Sequence, residues 1–489
     1  MAMLDALTRF ILLGLLIFTP IPFGSVEVWA FSVMELGILL MIILWTIQSG
    51  IDNRQSVVNL NSELPARPAG GRIPHSLPVR QAGAFVLVFL CLFLLLILLQ
   101  MVPLPSGIIK IISPNTFAFR NALTFDLSAL SSLRGFEPLQ AGASSFHLSF
   151  VPFATKIEFF KWLTLSALFL FLLSWRDMNK ETIHFILIIM FVGIAESLYG
   201  MLEFFSGHRY ILNLDVRTSS VSGTFINRNY FAGYLLMVVP LSVGYFFSRE
   251  AFQRSRFLGW RHSLSSLDGK TVIVAFGIIV MIVGLLFSAS RMGIMSLLLS
   301  FSLLSFLFGK SQKGQRFSRA VVLIFGLGLL WAAWIGLDAV ISRFFSASGS
   351  FEERWKIWVN TFQIFKDFPL FGTGLGTFIH IFPRYRSFHV RGLFTHAEND
   401  FLQLLSETGL AGVGLLLLVF GFLFYRAVVA IRSLDPRDTK KYIGIGGLVG
   451  ILALMFHSLV ERNIQVPANA FLYTLIWALV FRISTKETR

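Results

Sequence analysis

Repeated runs of about 20 apolar residues, each long enough to cross a lipid bilayer as a helix, constrain this chain most. The chain has 489 residues, 55% hydrophobic and 14% charged, whereas soluble domains carry roughly 25% charged residues. Inside a bilayer the backbone must satisfy its own hydrogen bonds, so such runs form helices. The sequence therefore predicts an all-α polytopic membrane protein. About 12 spans are predicted, at residues 9–24, 27–47, 82–102, 158–174, 182–203, 228–247, 271–289, 292–309, 320–341, 409–428, 442–460 and 466–481.

Basic residues indicate how these spans are oriented. The formal net charge is +15, and more than half of the 41 lysines and arginines fall in short segments that share one side of the predicted topology. Cytoplasmic loops are enriched in Lys and Arg, so that side is assigned to the cytoplasm together with both termini. The segment 48–81 is then cytoplasmic, and the long segments 103–157 and 342–408 face the periplasm. The charge reflects membrane orientation, and no nucleic-acid partner is expected.

Two arginines fall in the first turn of predicted spans on the periplasmic side. Arg228 lies in "GTFINRNYFAG", and Arg291 lies in "FSASRMG", where Ser288 or Ser290 can cap the helix. A cation at this position opposes the helix dipole, whereas free N–H groups there bind phosphate. Both arginines therefore indicate an anionic ligand, and a diphosphate fits because guanidinium groups pair with phosphate oxygens. Snorkelling of Arg228 and a salt bridge of Arg291 are the structural alternatives.

The stretch "THAENDFLQLLSETGLAG", residues 395–412, supplies two candidate general bases. In a helix running from residue 396, Glu398 projects about 200° away from His396. Thr395 and Glu398 also have capping-box spacing, which would give Glu398 a structural role. His396 is slightly favoured, because imidazole titrates near neutral pH without a special environment. The polar face of this predicted helix is formed by His396, Asn399, Asp400 and Gln403.

The rest of the segment 342–408 is helical and basic in pattern. Ser350 and Glu353 have capping-box spacing ahead of an apolar stripe. The glycine-rich stretch "GTGLGTF", residues 372–378, favours a plain turn over a phosphate loop, because no lysine follows it. No cluster of metal ligands is evident, and neither a metal nor a cofactor is expected. Further positive charge that could hold an anionic substrate comes from Arg354, Lys356, Arg384 and Arg386.

Four stretches in this order resemble the bacterial O-antigen ligase and polymerase superfamily. They are "SGTFINRNYFAGYL", "SASRMGIMSLLLS", "ERWKIWVNTFQIFKDFPLFGTGLGTF" and "HAENDFLQLLSETGLAGVG". The resemblance covers residues 220–425, and the first 200 residues resemble the family only as a set of spans. It implies three parts: N-terminal transmembrane helices at 1–219, a catalytic region at 220–431, and C-terminal transmembrane helices with a cytoplasmic tail at 432–489.

The resemblance implies a bacterial inner-membrane glycosyltransferase of the GT-C type, with its active site facing the periplasm. Such enzymes take a glycan from undecaprenyl diphosphate. Ligases transfer it to lipid A–core sugar in lipopolysaccharide biosynthesis, and polymerases transfer it to another lipid-linked repeat unit. The family's paired arginines match Arg228 and Arg291, and its catalytic histidine lies in the large periplasmic loop. The expected reaction is inverting and independent of metal, with Asn399, Arg354, Arg384 and Arg386 as further substrate contacts.

One departure from the family pattern concerns the base. Ligases typically show His-Asn, nine residues, and then Gly-x-x-Gly. Here Asn399 is followed at that spacing by Gly409 and Gly412, so Glu398 stands where the ligase histidine stands. Either His396 or Glu398 is then the base, and the ligase assignment weakens relative to the polymerase. A transporter or a flippase of lipid-linked glycans is the alternative from another class.

Overall fold

The computed structural model describes residues 2–60, 79–122, 145–175, 178–207, 210–212, 214–215, 220–249, 268–309, 314–335, 348–389, 392–435 and 438–484. These residues are overwhelmingly helical, which confirms the predicted all-α polytopic class. Two small antiparallel pairs accompany the helices: β1 (Leu104–Pro105) with β2 (Ser145–Phe146), and β3 (Tyr210–Ile211) with β4 (Leu214–Asp215). The helices are α1 (Ala2–Phe18), α2 (Val28–Leu60), α3 (Val79–Met101), α4 (Ser106–Ile112), α5 (Pro152–Ser174), α6 (Met178–Ser206), α7 (Arg228–Ser248), α8 (Gly269–Phe287), α9 (Arg291–Gly309), α10 (Gly314–Ile335), α11 (Ser348–Asp367), α12 (Phe378–Tyr385), α13 (Asp400–Ser433), α14 (Thr439–His457) and α15 (Pro467–Ser484).

Every predicted span overlaps a helix, although the bounds differ, and residues 336–341 of the span 320–341 lie outside the described residues. Among the described residues, nine helices are long and apolar enough to cross a membrane. The predicted spans 320–341 and 466–481 fall on shorter apolar helices, and 9–24 falls on α1. Helix α2 continues ten residues past the apolar window, because hydropathy marks only the immersed part of a helix. Helix α5 begins six residues before the prediction, with Pro152 at a position where its missing N–H costs nothing.

Helix α7 lies at the centre of the bundle, and the whole of its apolar window is buried. Its sequence is apolar on all sides, as expected for a helix surrounded by other helices. Helix α14 packs directly against it. A Cβ on Gly446 would lie 2.4 Å from the Pro240 carbonyl oxygen, and one on Gly450 would lie 2.8 Å from that of Met237. Small residues therefore bring the two backbones together, as is common between membrane helices.

Helix α13 is broken at Gly409, where φ is 63°. A Cβ there would lie 2.3 Å from the Leu370 carbonyl oxygen, so both conformation and space require glycine. The break frees backbone groups that pair with the 369–374 segment. The N–H groups of residues 410 and 411 donate to carbonyls 369 and 370, and carbonyls 406 and 407 accept from N–H groups 373 and 374. The glycine-rich stretch is thus a turn locked against α13, as its sequence favoured.

Gln100, at the end of α3, forms hydrogen bonds with both the glycine-rich turn and α13. Its Nε2 donates to the carbonyls of Phe371 (2.7 Å) and Glu407 (3.0 Å), and its Oε1 accepts from the Leu375 N–H (3.1 Å). The side chain is fully buried. Lost hydrogen bonds would therefore leave buried backbone groups without partners.

We expect Gln100→Leu to lower the free energy of unfolding by about 1–3 kcal/mol, the usual cost of unpaired buried polar groups. Thermal unfolding of the purified protein in detergent measures the change as a fall in Tm. Gln363→Leu, at an exposed position on α11, makes the same chemical change without burial and serves as the control. Equal Tm values for the two variants would contradict this role of Gln100.

Helix α11 carries the apolar stripe predicted for the segment 342–408. It begins at Ser348, so Ser350 lies inside the helix and the predicted capping box is wrong. The spacing of Ser350 and Glu353 does not by itself identify a helix cap, because serine also fits within the first helical turn. Of the predicted stripe residues, Trp355, Val359 and Phe362 are exposed, and Trp358 and Phe365 are half-buried. The side of α11 that packs in a small apolar core with α12 instead contains Ile357 and Ile364.

Candidate functional site

Both predicted arginines begin helices. Arg228 is the first residue of α7, and the capping Asn227 side chain accepts from the backbone N–H two residues on, at 2.8 Å. Arg291 is the first residue of α9, and Ser290 Oγ accepts from the N–H three residues on, at 3.2 Å. Both arginines are half-buried. Each therefore places a cation where the helix dipole is already positive.

These two helix starts are neighbours. A Cβ on Gly293, in the first turn of α9, would lie 2.9 Å from the Ala232 Cβ, one turn into α7. Arg228 and Arg291 thus stand at adjacent N-termini on one end of the bundle. An anion between them would be approached by two helix N-termini as well as by guanidinium groups.

The segment before α13 differs from its prediction. The helix begins at Asp400, and its N-cap is Asn399, whose side chain accepts from the N–H three residues on, at 3.0 Å. His396 and Glu398 therefore precede the helix, and both the helical face and the capping box predicted from residue 395 are wrong. Asparagine caps helices better than threonine. Glu398 also has a φ of 51°, in the left-handed region, which ends any helical path through it.

His396 is tied to the inner side of α13. Its Nδ1 lies 3.2 Å from Gln403 Nε2. Gln403 Oε1 accepts from the Ala397 N–H at 3.0 Å, and its Nε2 also donates to Glu407 Oε1 at 3.3 Å. Trp358 of α11 donates to the Ala397 carbonyl at 3.1 Å. The segment that carries both candidate bases is therefore held from two helices.

Glu398 points toward charged side chains of other elements. Arg462 Nε lies 4.0 Å from its Oε1. Burial first, and then the nearby Glu461, raise the pKa of Glu398, Arg354 opposes the shift, and the net pKa is about 7. A carboxylate with this pKa can accept a proton near neutral pH. Its left-handed backbone costs about 1–3 kcal/mol, a strain often found at functional sites.

The turn 458–466, between α14 and α15, supplies two charged residues that the sequence prediction missed. Glu461 is 2% exposed and pairs with Arg354 at 2.6 Å. Burial raises the pKa of Glu461, and the charge of Arg354 opposes this rise. Arg462 lies 5.1 Å from the Tyr230 ring centroid and donates to the Tyr230 hydroxyl group. Glu461 and Arg462 are the only charged residues between the last two predicted spans, and this isolated pair of charges in the sequence could have indicated a functional role.

We define the arginine–carboxylate cluster as Arg228, Arg354, Arg462, Glu398 and Glu461. The positive charge of Arg228 acts to lower the pKa of Glu461. Arg354 forms an ion pair with Glu461, and its charge also acts to lower the pKa of Glu398. With Arg291, at the adjacent helix start, the set comprises four arginines and two carboxylates. The fully ionised set therefore carries two net positive charges. Such a surface attracts an anion and can neutralise charge that develops on a leaving group.

The remaining basic residues of the prediction lie elsewhere in the loop. The Arg384 guanidinium stacks over the Phe119 ring, 4.6 Å from its centroid. Arg386 donates to the Gly392 carbonyl at 3.2 Å. Lys356 pairs with Glu352 at 2.8 Å on the exposed side of α11. These contacts brace the loop around the site.

Within the described residues, no three His, Cys, Asp or Glu side chains are grouped so that they could hold a metal ion. The charged partners of the cluster's carboxylates are arginines. Any charge neutralisation that the cluster itself provides therefore comes from guanidinium groups and helix N-termini.

The fold and the site together define a multi-pass membrane protein with a half-buried carboxylate, Glu398, beside a group of arginines. Residues 276–417 match the family model described as O-antigen ligase. This match confirms the resemblance to the O-antigen ligase and polymerase superfamily for the last three of the four quoted stretches, whereas the stretch that contains Arg228 precedes it. The matched family suggests a glycosyltransferase-like enzyme. A comparison with curated proteins finds no match. The matched segment includes Arg291 and Glu398 but ends before the turn 458–466.

Proposed function

We propose that this protein transfers a glycan from a polyprenyl-diphosphate carrier to a sugar hydroxyl on an acceptor lipid, in an O-antigen ligase-type reaction. The observation that supports this most is the position of Glu398. It is a half-buried carboxylate with a pKa of about 7, set beside arginines that begin or contact the same group of helices. A diphosphate ester carries two negative charges, which match the two net positive charges of the arginines and carboxylates.

The proposed step is a single inverting displacement. Glu398 removes the proton from the acceptor hydroxyl, whose oxygen then bonds to the anomeric carbon of the donor glycan. The bond between that carbon and the diphosphate oxygen breaks, and its electron pair leaves with the diphosphate. Arg228 and Arg291, with the free N–H groups of α7 and α9, stabilise the departing charge. No metal is required for this neutralisation.

Glu398 is proposed as the base in preference to His396. Glu398 is linked to the cluster through Arg462, Arg354 and Glu461, whereas His396 is hydrogen-bonded to Gln403. Glu398 also occupies the register of the family's histidine. His396 then positions the segment, and Asn399 fixes the start of α13 directly after the base.

Two acceptors fit this chemistry. A ligase uses lipid A–core sugar, and a polymerase uses a second lipid-linked repeat unit. The carboxylate at the ligase-histidine position is the observation that favours the polymerase alternative. Both acceptors provide the same nucleophile, a sugar hydroxyl, so the site can serve either reaction.

The protein is proposed to lie in the bacterial inner membrane with the site facing the periplasm. Cysteine substitutions on a Cys91→Ser background test this orientation with a membrane-impermeant thiol reagent in spheroplasts. We expect Thr395→Cys to label in intact spheroplasts, because it is exposed beside the site. Lys440→Cys, exposed at the opposite end of α14, should label only after permeabilisation. The reverse pattern would place the site in the cytoplasm.

The transfer itself is tested with purified protein, a polyprenyl-diphosphate-linked glycan and either lipid A–core or a second lipid-linked glycan. We expect a glycosylated acceptor and free polyprenyl diphosphate in equal amounts. The acceptor that reacts distinguishes ligase from polymerase. Movement of the donor across proteoliposomes without bond breakage would instead support a flippase.

A further inference from the structure

An apolar slot runs beside the site and has no role in the proposed displacement. It is formed by α3, α5, α13, α14 and α15, has a cavity volume of about 140 Å³ and is partly open to the surroundings. Its lining residues on α13 lie on both sides of the break at Gly409, and those after the break, from Val413 to Leu423, span roughly 15 Å at the rise of a helix. This is about half the hydrocarbon thickness of a bilayer, which is about 30 Å. Its walls include Trp162, Phe169, Leu416, Phe420, Tyr473 and Trp477.

The end of the slot nearest the site carries a carboxylate with unused hydrogen-bonding capacity. Asp400 is 5% exposed, and its Oδ2 accepts from the N–H groups of Asn463 (2.7 Å) and Ile464 (3.0 Å). Its Oδ1 is buried and has no hydrogen-bond partner among the described residues, although the Ser458 hydroxyl lies near the carboxyl group. Buried polar atoms of this kind usually have partners. A hydroxyl group of a ligand would provide one.

The charge at this end differs from that of the arginine–carboxylate cluster. Lys161 is the cation that influences Asp400, and it is paired with Glu158 at 2.5 Å. The three groups together carry one net negative charge when ionised. Within the described residues, the lining includes none from α7 or α9, the helices that begin with Arg228 and Arg291. The slot therefore suits a lipid with hydroxyl groups in its headgroup better than a lipid diphosphate.

We propose that the slot binds the hydrocarbon tail of the acceptor glycolipid, with a headgroup hydroxyl donating to Asp400. Asp400 follows Glu398 by two residues, so a headgroup held there lies next to the proposed base. Donor and acceptor would then reach Glu398 from different sides, the diphosphate from α7 and α9 and the acceptor from α13 and α15. That the bound glycolipid is the acceptor rests on the proposed function, but its binding to the slot can be measured without turnover.

The test uses full-length protein in lipid nanodiscs and two photoreactive probes. One is an acylated glucosamine lipid with a diazirine in its acyl chain, and the other is a polyprenyl diphosphate with a diazirine in its isoprenoid chain. Mass spectrometry locates the labelled peptides. Leu417→Trp and Leu418→Trp form a matched pair, because both leucines are exposed on α13 and only Leu417 lines the slot. Asp400→Asn is a second variant that preserves side-chain shape.

We expect the glucosamine lipid, and not the polyprenyl diphosphate, to label residues 413–423 and 470–477. Leu417→Trp should reduce this labelling about tenfold, the loss expected when a ring displaces roughly two methylene groups from apolar contact. Leu418→Trp should leave it unchanged, and Asp400→Asn should weaken it at unchanged Tm. Stronger labelling of the slot by polyprenyl diphosphate, or equal labelling in the two tryptophan variants, would overturn the proposal. Specific slot labelling without glycan transfer would reject the proposed function while leaving glycolipid binding intact.

Discussion

Glu398→Gln is expected to lower turnover by about 10²–10⁴-fold, the usual cost of losing a general base. Glutamine preserves the size of the side chain and can occupy the same half-buried position, but it cannot take a proton from the acceptor. His396→Ala should cause a much smaller loss, because the imidazole contacts Gln403 and not the arginine–carboxylate cluster. Turnover of purified variants in the transfer assay, at equal Tm, measures both. Glu352→Gln, an exposed glutamate of α11, is the matched control.

The pH dependence gives this prediction a second readout. Below pH 7 Glu398 is mostly protonated, because its pKa is raised to about 7. kcat/KM should therefore rise with pH through about 7 and level off above it. The Glu398→Gln variant should lack this limb, and Glu398→His should retain part of the activity, because imidazole titrates in the same range. An active Glu398→Gln beside an inactive His396→Ala would assign the base to His396.

Arg228→Ala and Arg291→Ala are each expected to reduce turnover by about 10²–10³-fold, the usual effect of removing one group that stabilises developing charge. The lysine variants should recover only part of the rate, because lysine lacks the two-pronged donor geometry of arginine. Turnover in the transfer assay, with KM for the donor and Tm measured alongside, separates this effect from misfolding. Lys366→Ala removes an exposed cation from the end of α11 and is the control for net charge.

Donor concentration distinguishes the role of these arginines further. If they stabilise the leaving diphosphate, the loss lies mainly in kcat and persists at saturating donor. If they only attract the anionic lipid, KM rises and kcat is preserved. Near-normal kcat in both alanine variants would exclude their role in the displacement.

Local rules predicted the long apolar helices and the places of Arg228 and Arg291 in the first turns of two of them. Each apolar run overlaps a helix, and Asn227 and Ser290 cap α7 and α9 as their residue types favour. Capping rules failed at residue 395, where two acceptable caps, Thr395 and Asn399, lie four residues apart. The choice depends on tertiary contacts of the preceding segment, including the bond from Trp358 to Ala397, which no local pattern contains.

Local sequence rules could not predict which charged residues lie near Glu398. Glu461 and Arg462 lie more than 60 residues further along the chain. They belong to a short segment whose sequence has the pattern of an ordinary loop. Their importance follows from the packing of α14 against α7, which brings Arg462 onto Tyr230. Close backbone approach at Gly446 and Gly450 makes this packing possible, and it places the turn 458–466 over the start of α7.

The position of the turn 458–466 in the chain has a consequence for biogenesis. A nascent chain inserts its helices in the order of synthesis, so Arg228, Arg291 and Glu398 enter the membrane before Glu461 and Arg462 exist. Until the α14–α15 hairpin is inserted, Arg354 lacks its carboxylate partner and Tyr230 lacks the guanidinium that covers it. Synthesis of this hairpin is therefore the event that completes the arginine–carboxylate cluster, and we expect the proposed transfer to begin only after it.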